Sequence, residues 1–165
     1  MIFIDKKYTL AKMYGRMPGY EASDLSDEQF QRKRQLCQDV LNLMDKIMPG
    51  QTRKRGMMLY EIHLPLVMLT NRYIPTYAMT LRTCAEIFRQ INCYLFCRNL
   101  QRGPGCGVPP ETLKENLKKG FECLKEGLDI LDREPEGSFE KKIVEGSKDS
   151  ITQLDDWVKM VCSSL

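Results

Sequence analysis

The residues of this chain that could do chemistry are few. There is one histidine, His63, and there are seven cysteines: Cys37, Cys84, Cys93, Cys97, Cys106, Cys123 and Cys162. A structural zinc site wants four ligands, usually in close pairs. Cys93 and Cys97 stand at i and i+4, where one helix face could present both. Cys84 and His63 lie too far off to complete a zinc spacing with them. The cysteines therefore read as thiols packed in a core. His63 lies in an apolar run with no acid or nucleophile set beside it by sequence, so it reads as a satisfied core histidine. The segment QRGPGCGVPP, residues 101–110, invites comparison with a phosphate-binding loop. It lacks the Gly-Lys-Ser/Thr that such a loop needs, and no strand precedes it, so it reads as a linker. No G-x-S-x-G, H-E-x-x-H or Rossmann pattern occurs. No catalytic, cofactor-binding or metal-ligating residue is expected, and no cofactor.

The charged residues suggest surface recognition instead. Arg53, Lys54 and Arg55 form a short basic turn, and Lys114, Lys118 and Lys119 lie along a later helix. If the two groups approach one another they make a mildly positive docking surface for an acidic peptide or an acidic lobe of the same protein. The bland alternative is that such lysines are the wet side of a helix. Arg32, Lys33 and Arg34 are read that way, as an outer, solvated face. A net charge of +3 without interleaved aromatics predicts no nucleic acid and no membrane as partner. The apolar start at Met1–Ile4 is ended by Asp5, Lys6 and Lys7, too short for a secretory h-region. The expectation is an intracellular protein, cytoplasmic or nuclear, whose thiols stay reduced.

What must position these residues is a set of helices. The chain organises around Arg53–Tyr73: between Gly56 and Asn71 only Glu61, His63 and Thr70 are clearly polar. A helix apolar nearly all round has no face to give to water and must be covered on several sides. Pro65 inside it predicts a kink or break near His63 and Leu64. The run is too short and interrupted for a membrane span. Ahead of it, Ser26 and Gln29 write a capping box, with Leu25 stapling against Phe30. From there Phe30, Cys37, Val40, Leu41, Met44 and Ile47 trace an apolar stripe as far as Pro49-Gly50.

Toward the C-terminus, Leu113, Leu117, Phe121, Leu124, Leu128 and Leu131 form one stripe. Ile143, Ser147, Ile151, Leu154, Val158 and Val161 form its match across a turn that Ser138 closes as a cap. Trp157 lies beside the second stripe and reads as core. With no period-2 alternation there is no sheet. The expected fold is all-α in a single domain, with helices near 4–14, 26–48, 55–72, 76–100, 110–132 and 138–163. These would stack as antiparallel hairpins, tetratricopeptide-like in kind although without that repeat's sequence signature.

Three phrases carry a family resemblance: KKYTLAKMYGRMPGY at 6–20, RKRQLCQDVLNLMDKIMPGQTRKRGMMLYEIHLPLVML at 32–69, and LKEGLDILDREPEGSFEKKIVEGSKDSITQLDDW at 124–157. In this order they resemble the C-terminal helical region of SET-and-MYND (SMYD) proteins, in particular the insect members. The likeness lapses over 74–112, which reads as an insertion or a divergent helix. That family methylates lysine with S-adenosylmethionine through a SET domain and holds zinc in its MYND and post-SET segments. None of those segments is present in these 165 residues. The resemblance thus implies a non-catalytic, tetratricopeptide-like interaction or regulatory module, its partner the SET lobe of a longer form or an acidic peptide. The alternative it leaves is a fragment of a protein-lysine methyltransferase whose SET and MYND parts lie outside this sequence.

Overall fold

A computed structural model describes residues 2–15, 25–73 and 110–164. Every regular element among them is a helix: α1 (Ile2–Met13), α2 (Asp27–Ile47), α3 (Arg53–Tyr73), α4 (Pro110–Leu131) and α5 (Phe139–Ser164). The all-α expectation is met. The helix expected at 76–100, and the linker up to residue 109, lie outside the described residues.

Local chemistry sets most of the boundaries. The Ser26 hydroxyl accepts from the Gln29 backbone N–H, and the Ser26 N–H donates to the Gln29 side chain, so α2 opens with the full capping box. Leu25 and Phe30 are buried in one cluster beside it. Pro49 and Gly50, the latter at φ +127°, end α2, and Thr52 caps α3 by accepting from Arg55 N–H at 3.2 Å. Helix α3 therefore begins at Arg53, and the basic triplet is its first turn instead of a connector. Ser138 caps α5 through Lys141 N–H at 3.1 Å.

Pro65 does not break α3, which is helical through to Tyr73. Neighbours on several sides hold it. Met57 and Val67 pack with α4 and α5; Met58, Leu59, Ile62 and Leu66 pack with α1 and α2; Met68 and Leu69 pack with Leu25 and Phe30. The α3–α4 contact is the most extensive, followed by α2–α3, then α4–α5 and α1–α2. Successive helices run antiparallel, as paired cross-helix contacts show: Lys7 to Asp39 and Tyr14 to Lys33, Arg55 to Asp45 and Glu61 to Lys33, Gly56 to Ile130 and Gly120 to Leu66. For the last pair, Asp132 meets Lys141, while Lys118 and Phe121 border the same groove as Asp155 and Val158.

The α4 stripe of five leucines and one phenylalanine is buried throughout. On α5 the buried line is Val144, Leu154, Trp157, Val158 and Val161, so Trp157 is core as read, while Ile143 and Ile151 are half-buried. Ile47 departs from its stripe. It is 58% exposed, because at the last residue of α2 the stripe has run past its partner.

The close α3–α4 approach depends on glycines that no periodicity argument singled out. A Cβ on Gly127 would lie 2.9 Å from Tyr60 N and 3.0 Å from Gly56 O, both backbone atoms that cannot step aside. Gly146, on α5, faces open space. In an exposed helix interior alanine is better than glycine by about 1 kcal/mol. The two positions should then respond with opposite sign. Gly127→Ala is expected to destabilise by about 1–3 kcal/mol through overpacking, and Gly146→Ala to stabilise by up to about 1 kcal/mol. Urea unfolding of the two variants beside the parent checks both signs.

Candidate functional site

Among the described residues, the most concentrated buried polar chemistry lies where α1, α2 and α3 meet. Lys33 of α2 is 1% exposed, and its Nζ lies 2.7 Å from Glu61 Oε2 on α3. The same ammonium donates at 2.6 Å to the carbonyl of Tyr14, the residue just after α1. Sequence reasoning had placed Lys33 on a solvated face, and this is a correction. A signal was available: Phe30, Lys33, Cys37, Val40 and Met44 step by 3, 4, 3 and 4, so Lys33 occupies the apolar stripe itself. Glu61 is likewise one of the three polar residues in the otherwise apolar α3.

Cys37 lies one turn beyond Lys33 and is fully buried. Burial pushes its thiol up to about 12; nearby Lys33 lowers it and Glu61 raises it further, and burial wins. A thiol held that high is inert as a nucleophile while it stays covered. His63, two residues from Glu61, donates from Nδ1 to the Tyr60 carbonyl. Desolvation brings its pKa down to about 4, and Lys33 acts in the same direction. The Tyr60 carbonyl and Glu61 oppose this without reversing it. Near neutral pH His63 is therefore an uncharged imidazole in the role of a satisfied helix residue. Among the described residues no group of His, Cys, Asp and Glu is arranged to hold a metal ion. Cys123 and Cys162 are half-buried and free; Cys84, Cys93, Cys97 and Cys106 lie outside the described residues.

The basic triplet is spent inside the molecule. Arg53 pairs with the buried Glu140 of α5 at 2.5 Å, Lys54 with Asp5 of α1 at 2.6 Å, and Arg55 with Asp45 of α2. Arg55 Nε also lies 3.8 Å from Glu126 of α4. One helical turn thus ties α3 to each of the other four helices. Lys114 lies 3.7 Å from Glu111, and Lys118 and Lys119 are exposed.

The two basic groups do not approach one another. Gly56, next to the triplet, faces Ile130 and Leu131 at the far end of α4. Lys119 is separated from that end by roughly 16 Å along the helix axis. Lys118 instead borders a groove of about 380 Å3 between α4 and α5, with Phe121, Glu122, Asp155, Val158 and Lys159. Its rim carries both signs of charge, so it has no marked preference for an anion.

No protein-family model, no curated protein and no solved structure matches this chain. Among the described residues no helix is long and apolar enough to cross a membrane.

Two outcomes follow from the buried cluster. Removing one partner of a buried pair strands the other charge at a cost of about 3–5 kcal/mol, whereas apolar replacement of both is close to neutral. Lys33→Met should accordingly lower stability by about that amount, and the double variant Lys33→Met with Glu61→Met should recover most of it. Chemical denaturation of the three proteins tests this.

His63 supplies a pH dependence. Its folded pKa of about 4 lies below the unfolded 6.5, so the unfolded chain takes up the proton first. The stability from keeping His63 neutral is complete above pH 6.5 and is lost as pH falls toward about 4. Relative to His63→Leu, the parent should lose up to about 3 kcal/mol over that window. A pH series of urea midpoints and slopes for the pair would show it.

Proposed function

We propose that this chain is a non-catalytic helical interaction module of tetratricopeptide-like architecture, related to the C-terminal region of SMYD proteins. The observation that carries the reading is the packing order: α1 on α2, α2 on α3, α3 on α4 and α4 on α5, each pair antiparallel. Arrays of this kind bury one face of each helix and leave an extended surface made from the others, which suits them to holding another protein. The polar groups at the α1–α2–α3 junction support the same reading. They are paired with one another and covered, an arrangement that serves packing.

The partner under this reading is a protein, namely the SET lobe of a longer form or an acidic peptide, met inside the cell. Of the six basic residues singled out in the sequence, Lys118 and Lys119 are the exposed ones without a described internal partner, since Arg53, Lys54 and Arg55 have theirs.

The test begins with the purified chain and S-adenosylmethionine in a titration calorimeter, where no saturable heat is expected. Saturable binding would overturn the non-catalytic assignment. Reading the transcript upstream of the Met1 codon then looks for an in-frame SET segment. Co-expressed on a separate plasmid, that segment should co-purify with this chain.

A further inference from the structure

Helix α1 is attached differently from the other four. Ile4 and Ala11 are the fully buried apolar side chains among its described residues, with Tyr8 and Tyr14 half-buried, while Leu10 and Met13 point outward. By contrast α2 buries Phe30, Leu36, Cys37, Val40, Leu41 and Met44. Tyr8 also packs against both main clusters, and polar ties add to the attachment, among them Lys7 to Asp39 at 2.6 Å, Asp5 to Lys54 at 2.6 Å, and the Tyr14 carbonyl to Lys33 at 2.6 Å. The first two ties are open to solvent, with side chains between a quarter and a half exposed. Pairs of that kind contribute little and weaken with salt.

We propose that α1 is a strap, detaching as a unit from the α2–α3 surface while the remaining helices stay folded. It thereby controls access to Cys37 and to the apolar cluster around that thiol. The free energy of opening a segment follows the apolar surface and hydrogen bonds it must give up, and the described side chains of α1 bury less apolar surface than those of α2. The third tie does not prevent this. When the Tyr14 carbonyl leaves, Lys33 still holds Glu61, so no buried charge is stranded. Beneath α1, Leu36, Cys37, Val40, Met58 and Ile62 belong to the same cluster as Ile4 and Ala11, so departure of the strap uncovers Cys37. The thiol is unreactive when covered and becomes an ordinary cysteine when it is not.

The experiment alkylates the native chain with N-ethylmaleimide under mildly alkaline conditions and resolves Cys37 from the other cysteines by peptide mass spectrometry. Amide hydrogen exchange of α1 is followed in parallel. Cys37 should react at least about tenfold faster than global unfolding allows, with a rate that hardly changes in low urea. Raising salt from about 0.05 to about 0.5 M should speed it. Lys7→Ala with Lys54→Ala should speed it by about tenfold while the main melting transition survives. In the unmodified chain, α1 amides should exchange well ahead of those of α2 and α3. The strap is overturned if Cys37 reacts only with the urea dependence of global unfolding, or if α1 amides exchange together with those of α2 and α3. Both of these readouts use the parent protein and hold even where the double variant does not fold.

Discussion

A helix with no wet face has to be surrounded, and the rest of this fold is arranged to surround α3. Its apolar residues face three separate clusters, one shared with α4 and α5, one with α1 and α2, and one with Leu25 and Phe30. Burial of that much apolar surface is the main favourable contribution, and it explains why Pro65 is carried inside an unbroken helix. The missing hydrogen bond at one position is small against side chains held on several sides. Close packing has its own requirement. Gly127 lets the backbones of α3 and α4 approach to a distance that a Cβ would prevent, and at Gly56 and Gly120 an added Cβ would crowd the side chains of the facing helix.

The charges follow from the same constraint. Polar groups that enter a surrounded helix must bring their partners with them, and Glu61 brings Lys33. A buried pair of this sort is weak as a source of stability, since desolvation offsets most of the Coulomb gain, but it is demanding about geometry. Here it fixes α2 against α3 and also receives the end of α1. At the other end of α3 the first turn is fully cationic, the wrong sign for a helix N-terminus. Acids from all four other helices answer it.

That distribution bears on the proposed interaction role. The cations most conspicuous in the sequence are paired within the array, so under the proposed role a partner would meet the cations and apolar rims left over along α4 and α5. Attachment is also uneven along the array. α3 and α4 are bound by wide apolar contact and shared glycines, whereas among the described side chains of α1 Ile4 and Ala11 are fully buried and Tyr8 is half-buried.

Local rules were legible in the sequence because they act over a turn or two. The capping box at Ser26, the Ser138 cap, the stop at Pro49-Gly50 and the α4 stripe each rest on neighbours within reach along the chain, and each stands where the residues put it. The all-helical class followed from the same short periods. Tertiary structure alone decided what depends on distant partners. Lys33 looked like one cation in a basic run, and it took Glu61, 28 residues away, to make its burial tolerable. Arg53, Lys54 and Arg55 looked like a free basic turn until acids from four helices closed on them. Nothing in the α4 stripe marks Gly127, and only the folded chain shows the backbone of α3 in the space a side chain would need. A sequence displays the sign and size of each group, but the energy of a charge or a missing side chain is set by what lies opposite, and only the folded chain brings that into place.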